Sequence, residues 1–105
     1  MSVISYAVNT AKKQEYELGK GCFLGEKLAG CTEGELVEIL LRVYKTMPDS
    51  VAYQMAREIH QMGVEFVGED TFVGSDWADC RTIGSVWDYD WTTGSLRPGK
   101  RIHEE

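Results

Sequence analysis

Apolar and polar residues alternate at the start of the chain, with the two-residue period of a β-strand. A polar segment, 9–13, follows, and the chain returns over 14–18 with Tyr16 and Leu18 on one face. The apolar face of the first strand is predicted to carry Ile4, Tyr6 and Val8. The two segments are therefore predicted to form a β-hairpin. Residues 19–31 hold four glycines and are predicted to form a loop.

Apolar residues then recur every three or four positions, which predicts a helix. Thr32 and Glu35 match a capping box, in which the two side chains and two backbone amides at a helix start satisfy one another. Pro48 is predicted to end this helix. Its apolar stripe consists of Leu36, Ile39, Leu40, Val43, Tyr44 and Met47.

A second helix is predicted directly after Pro48, with Asp49 or Ser50 as its N-cap. Gly63 is predicted to end it in a left-handed conformation. Its apolar stripe consists of Val51, Met55, Ile59 and Met62. Because the turn between the two helices is so short, we expect them to pack as an antiparallel pair.

Beyond Gly63 the apolar period returns to two, which indicates further strands. Val64, Phe66 and Phe72 predict a strand with an interruption near Gly68. The segment 75–80 is predicted to be a turn or a single helical turn capped by Ser75.

The segment 82–91 is predicted to be one continuous strand with Ile83 and Trp87 on one face. Its other face is predicted to carry Val86, Asp88 and Asp90. A turn at 93–94 and a short edge strand over 95–97 are expected to follow.

These elements predict an α+β fold. We expect an N-terminal hairpin, a two-helix unit, and two to three further strands, which together form one small antiparallel sheet with both helices packed on one face. A length of 105 residues, with 43% hydrophobic and 27% charged residues, is that of one folded domain over 1–105. The tail from about residue 98 is expected to be loose.

Charge is concentrated in the last third of the chain. Between Val64 and Leu96 seven acidic residues accompany a single base, Arg81, so that this stretch carries the same formal charge, −6, as the whole protein. Its acids are Glu65, Glu69, Asp70, Asp76, Asp79, Asp88 and Asp90. An acidic excess argues against direct binding of nucleic acid, because phosphates repel carboxylates, but it suits a partner with a basic surface.

All three tryptophans lie in this acidic stretch, and large aromatics among charges are typical of binding surfaces. The candidate partner-binding residues are Asp76, Trp77, Asp79, Asp88, Tyr89, Asp90 and Trp91. The structural alternative is a solvated acidic face with one or two of the tryptophans in the core. Trp91 is the tryptophan that we expect to be exposed.

No catalytic or metal-binding motif accompanies these features. The three cysteines are irregularly spaced, so the sequence predicts neither a disulfide framework nor a zinc site, and the thiols are expected to be reduced. The aspartates do not form a calcium loop. Gly19–Gly25 lacks the phosphate-loop pattern and is predicted to be a connector. The cysteines are Cys22, Cys31 and Cys80, and either histidine, His60 or His103, would be needed for cysteine–histidine chemistry.

Taken together, these features predict a small, acidic, non-enzymatic protein that inhibits or modulates a macromolecular partner with a basic, nucleic-acid-handling surface. In size and charge it resembles phage-encoded anti-defence and anti-CRISPR proteins and the immunity proteins of bacterial toxins. We expect no cofactor, no metal, no direct nucleic-acid binding and no membrane association. With no apolar run of about 18 residues and no leader, the expected location is cytoplasmic, in the host cytoplasm if the protein is phage-encoded. The alternatives are a homodimeric or larger homo-oligomeric adaptor, and a small ligand-binding domain or enzyme that uses Gly19–Gly25.

Overall fold

The computed structural model describes residues 4–20, 23, 26–69, 77 and 79–97, and it has the predicted α+β fold. In chain order its elements are β1 (Ser5–Asn9), β2 (Gln14–Gly19), α1 (Glu33–Val43), α2 (Asp49–Met62), β3 (Phe66–Glu69), β4 (Arg81–Ser85), a 3₁₀ turn (Val86–Asp88), β5 (Tyr89–Asp90) and β6 (Ser95–Leu96). Neither helix in the described part of the chain is long and apolar enough to cross a membrane.

Four strands form the main sheet in the order β3-β1-β2-β4, and β5 and β6 form a separate two-stranded ribbon. The hairpin of β1 and β2 and the β1–β3 pair are antiparallel, whereas β2 and β4 are parallel. The expectation of one antiparallel sheet is therefore wrong in this detail. Strands β3 and β4 run in the same direction at opposite edges, a relation that the period of neither strand encodes.

The hairpin is confirmed, but the face that its first strand turns to the helices is opposite to the prediction. Ala7 lies across from Tyr16, and both belong to the apolar core together with Leu18. Val8 lies across from Glu15 and Phe66 and so belongs to the other face. The larger side chains of β1 do not mark its core face, because the rings and branched chains of β2 and the helices fill that space.

The first helix begins as predicted, with a complete capping box between Thr32 and Glu35. It ends at Val43, before Pro48, because Tyr44 adopts an extended conformation as C-cap. Its buried residues include Leu36, Val37, Ile39 and Leu40.

The second helix differs from the prediction at its start. Pro48 is the N-cap and Asp49 the first helical residue, with no side-chain cap bond, so the Asp49 or Ser50 cap is wrong. Gly63 ends the helix in the left-handed region with φ 74°, as predicted. The two helices pack together, and their buried stripes join Ala7, Tyr16 and Leu18 in one core.

Strand β3 runs through Gly68 without the predicted interruption. A β-carbon at this position would lie 2.2 Å from Cη2 of Trp77, so the glycine is required by the ring that covers it.

Gly84 in β4 provides a direct test of the core packing. A β-carbon there would lie 2.5 Å from Cε2 of Tyr16, whose side chain is fully buried and has no room to move. We expect Gly84→Ala to lower the free energy of unfolding by about 1–3 kcal/mol through overpacking. Gly34→Ala is the matched control, because its β-carbon would meet no close neighbour in α1, and it should stabilise by about 0.4–1 kcal/mol. Urea denaturation of both variants measures the difference, and a neutral Gly84→Ala would contradict the placement of Tyr16.

Candidate functional site

Four aromatic rings follow one another from the core to the surface, and we call them the aromatic row: Phe23, Tyr44, Trp91 and Trp87. The ring centroids of Phe23 and Tyr44 are 5.3 Å apart, those of Tyr44 and Trp91 are 5.4 Å apart, and those of Trp91 and Trp87 are 6.4 Å apart. The two indoles are stacked, with 17° between their planes, and Tyr44 meets Trp91 edge-on. Both arrangements are favoured geometries of aromatic pairs.

Exposure rises along the aromatic row. Phe23 is fully buried, Tyr44 and Trp91 are half-buried, and Trp87 is 53% exposed. The expectation that Trp91 is the exposed tryptophan is therefore wrong. Its ring is covered by Tyr44 on one side and Trp87 on another, and its Nε1 donates to the carbonyl oxygen of Val86 at 3.4 Å.

The 3₁₀ turn that carries Trp87 is held by a capping box of its own. Ser85 Oγ accepts from the Trp87 amide at 3.1 Å, and an Asp88 carboxylate oxygen accepts from the Ser85 amide at 3.0 Å. This turn interrupts the predicted strand 82–91, so the expected alternation of faces through Trp87 and Asp88 is wrong. Local side-chain bonds of this kind compete with the strand ladder and turn the chain.

Gly19 provides the seat for the edge of the Trp87 ring. Its φ is 73°, and a β-carbon there would lie 3.1 Å from Cζ2 of Trp87. Any larger residue would be strained and would press on the indole. The position of Trp87 is thus fixed by β2, by the capped turn and by Trp91.

Two of the predicted binding residues are buried. Asp88 is 7% exposed and serves as the cap just described, because its carboxylate is turned back to the Ser85 amide. Tyr89 is 1% exposed, and its hydroxyl donates to Glu58 Oε2 at 3.2 Å. The predicted exposure of Asp88 on a solvated strand face is wrong, and neither side chain lies at the surface.

Three of the other described acids of the stretch 64–96 bond within the molecule as well. Lys13 Nζ lies 3.1 Å from Asp79 Oδ2, and this hydrogen bond holds the pKa of the Asp79 carboxyl below its usual value. The Thr92 amide donates to Asp90 Oδ1 at 2.9 Å and lowers the pKa of Asp90 in the same way.

The Glu65 carboxylate accepts from both the amide and the hydroxyl of Thr10 at 2.8 Å, and these bonds lower its pKa. These acids therefore stay ionised, but they are distributed around the fold instead of forming one row. Asp76 lies outside the described residues.

Trp77 lies apart from the other tryptophans. Its ring is half-buried, packs edge-on against Phe66 with centroids 5.6 Å apart, and covers Gly68 in β3. Since β3 and β4 are opposite edges of the sheet, the three tryptophans do not form a single patch.

Two recesses of the surface are large enough to hold a small molecule. One, of about 200 Å³, brings Cys31 and His60 to one wall together with Leu28, Leu36 and Val64. The Cys31 thiol donates to the Lys27 carbonyl oxygen, and burial, reinforced by nearby glutamates, raises its pKa, so it is the protonated, less nucleophilic form that lines the recess.

The second recess, of about 230 Å³, is lined by Lys12, Gln14, Glu58, Gln61, Met62 and Ile83. Among the described residues, no group of three or more histidine, cysteine, aspartate or glutamate side chains could hold a metal ion. Of the Gly19–Gly25 segment the structure describes only Gly19, Lys20 and Phe23, and Phe23 is part of the core. Cys22 and His103 lie outside the described residues.

The sequence does not predict that Tyr44 belongs to the aromatic row or that Gly19 supports the Trp87 ring. The spacing of the apolar residues predicts Tyr44 in the stripe of the first helix, whereas the helix ends at Val43 and Tyr44 is its C-cap. Nothing local to Gly19 indicates that it contacts Trp87. Comparison with protein-family models, curated proteins and solved structures finds no match for this chain.

Proposed function

We propose that this protein is a small non-enzymatic binding protein that engages a macromolecular partner with a basic surface, and that Trp87 is the anchor of the contact. The observation that carries the proposal is the 53% exposure of a tryptophan whose position is fixed on three sides. Burial of a large exposed ring in a partner is a major source of binding energy, and tryptophan is the residue type most enriched among such anchors.

Preorganisation supports this role for Trp87. An exposed side chain ordinarily loses rotamer freedom when it binds, which offsets part of the binding energy. The Trp87 backbone is held by Ser85 and its ring by Gly19 and Trp91, so little freedom remains to be lost.

The net charge of the chain indicates the sign of the charge on the partner's surface. The net charge of −6 attracts a basic surface over a distance of about 8–10 Å at physiological salt and repels phosphates. A partner that itself handles nucleic acid presents such a surface, and an acidic protein bound there would compete with the nucleic acid.

Trp87→Ala is expected to abolish most partner binding. The wild type and the variant are each immobilised and incubated with a bacterial lysate, and the retained proteins are identified by quantitative mass spectrometry. A partner that the wild type retains should be absent from the proteins retained by Trp87→Ala. Tyr53→Ala is the matched control, because Tyr53 is an aromatic of α2 that is 61% exposed and lies outside the aromatic row. Against the purified partner, Trp87→Ala should weaken affinity by about 2 kcal/mol or more, roughly thirtyfold, mainly through faster dissociation.

Two results would contradict this proposal. If Trp87→Ala and Tyr53→Ala retained the same proteins as the wild type, Trp87 would not be an anchor. If the wild type sedimented as a dimer that Trp87→Ala converts to a monomer, the aromatic row would be a self-association surface, as in the homo-oligomeric adaptor alternative.

A further inference from the structure

The two faces of the Trp87 indole are in different environments. One face stacks on Trp91, and the ring edge at Cζ2 and Nε1 lies against Gly19. The side chain is nevertheless 53% exposed, and among the described residues no second ring stacks on its other face. A flat ring surface of this kind accepts a second planar group without any rearrangement.

The chemistry of an indole face favours a cation. The face of an indole is the negative pole of the ring quadrupole and attracts ammonium and guanidinium groups. Asp90, one residue before Trp91, stays ionised because the Thr92 amide lowers its pKa. The negative charge of Glu17 also reaches the aromatic row, where it helps burial to raise the pKa of Tyr44.

We propose that the open face of Trp87 receives an arginine side chain of the partner, with the guanidinium stacked on the indole. This inference rests on the proposed function and specifies the chemical group at its centre. Arginine suits the site better than lysine, because its guanidinium is planar and weakly hydrated and stacks on aromatic faces. A nucleobase could stack there too, but the net charge of −6 opposes its phosphates.

Two positive charges of the chain bear on this assignment, and one of them supplies a variant. Arg97 Nε donates to the Tyr89 carbonyl oxygen, and this bond holds the side chain against the backbone of its own chain. Lys20 follows Gly19 directly and is exposed, so its charge should repel an incoming guanidinium. Lys20→Gln is therefore expected to strengthen binding of a cation at Trp87.

The test is an NMR titration of the full chain, observed at the three indole N–H signals. The probe is arginine with its amino group acetylated and its carboxyl group amidated. Citrulline blocked in the same way is the control, because it has the same shape and no charge. We expect the Trp87 signal to shift in a saturable manner with the arginine probe and citrulline to bind about two- to fivefold more weakly. The Trp77 signal should not move, since that ring packs on Phe66 at the other edge of the sheet.

Two outcomes of the titration would overturn the inference. Equal binding of the two probes would mean that stacking does not depend on charge, and tighter binding of a ten-residue thymidine oligonucleotide would make Trp87 a base-stacking platform. Trp87→Leu should remove any saturable shift of the Trp91 indole signal by the arginine probe, and Lys20→Gln should raise the affinity of the wild-type site for that probe; failure of either would contradict the inference. A protein that loses its partner on Trp87→Ala but does not discriminate arginine from citrulline would refute this inference and leave the binding function intact.

Discussion

Replacing Leu40 by alanine is expected to lower the free energy of unfolding by about 2–5 kcal/mol. Leu40 is 1% exposed in the middle of α1, where it belongs to the core shared by both helices and the sheet. Removal of three carbon atoms loses their transfer free energy and leaves a cavity that a tightly packed interior cannot close. Because small domains are stable by only about 5–15 kcal/mol, this is a large fraction of the total.

Leu41→Ala is the matched control for this prediction. It makes the same chemical change one residue later, at a half-buried position at the edge of the core. We expect a loss of about 1–2 kcal/mol, since water can fill the space that is left. Urea denaturation followed by circular dichroism gives both values. A larger loss at Leu41 than at Leu40 would mean that the buried face of α1 is wrongly assigned.

Charge reversal at Asp88 is expected to be at least as damaging, for an electrostatic reason. Asp88→Lys removes the cap on the Ser85 amide and places a cation at a site that is 7% exposed. The loss should be about 3–5 kcal/mol, the range for an uncompensated buried charge. Asp88→Asn keeps an oxygen that can accept from the amide and should cost about 1 kcal/mol.

Asp90→Lys separates this effect from the general effect of charge. Asp90 is half-buried, and its carboxylate accepts from the Thr92 amide in the turn before β6, so its reversal should lower the melting temperature far less than reversal of Asp88. Thermal denaturation of the three variants gives the comparison. If Asp88→Lys melted like Asp90→Lys, the 3₁₀ turn would not depend on its cap. For tests of partner binding, Asp90 is consequently the position where charge can be reversed while the fold is kept.

The parts of the fold that follow from local patterns were predictable. The capping box of α1, the hairpin and the left-handed Gly63 depend on residues within a few positions of one another, so the sequence expresses them directly. The parallel placement of β4 and the packing of Gly68 and Gly84 against rings depend on segments far apart in the chain. No local period encodes such contacts.

For the candidate site, the sequence predicts which residue types are present but not how they are arranged. The tryptophans and acids of the last third were identified, but their exposure was misjudged, because the sequence Ser85–Asp88 fits both a strand and a capped turn. In the capped turn the Trp87 side chain is exposed and the Asp88 side chain is buried. The cap depends on the side chains of Ser85 and Asp88. Its formation therefore determines which residues of the acidic stretch are exposed.

The parallel pairing of β2 with β4 has a consequence for the order in which the molecule folds. The bond from Thr82 Oγ1 to Glu15 Oε2 joins residues 67 positions apart, whereas the hairpin and the helix pair close short loops. Closure of a long loop is entropically more costly, so β4 is expected to dock after the hairpin and helices have formed. Trp87, which follows β4 immediately, would then reach its place against Gly19 in the last step. The binding surface would be assembled only in chains whose core is already complete, and a partially folded chain would have no surface with which to capture a partner.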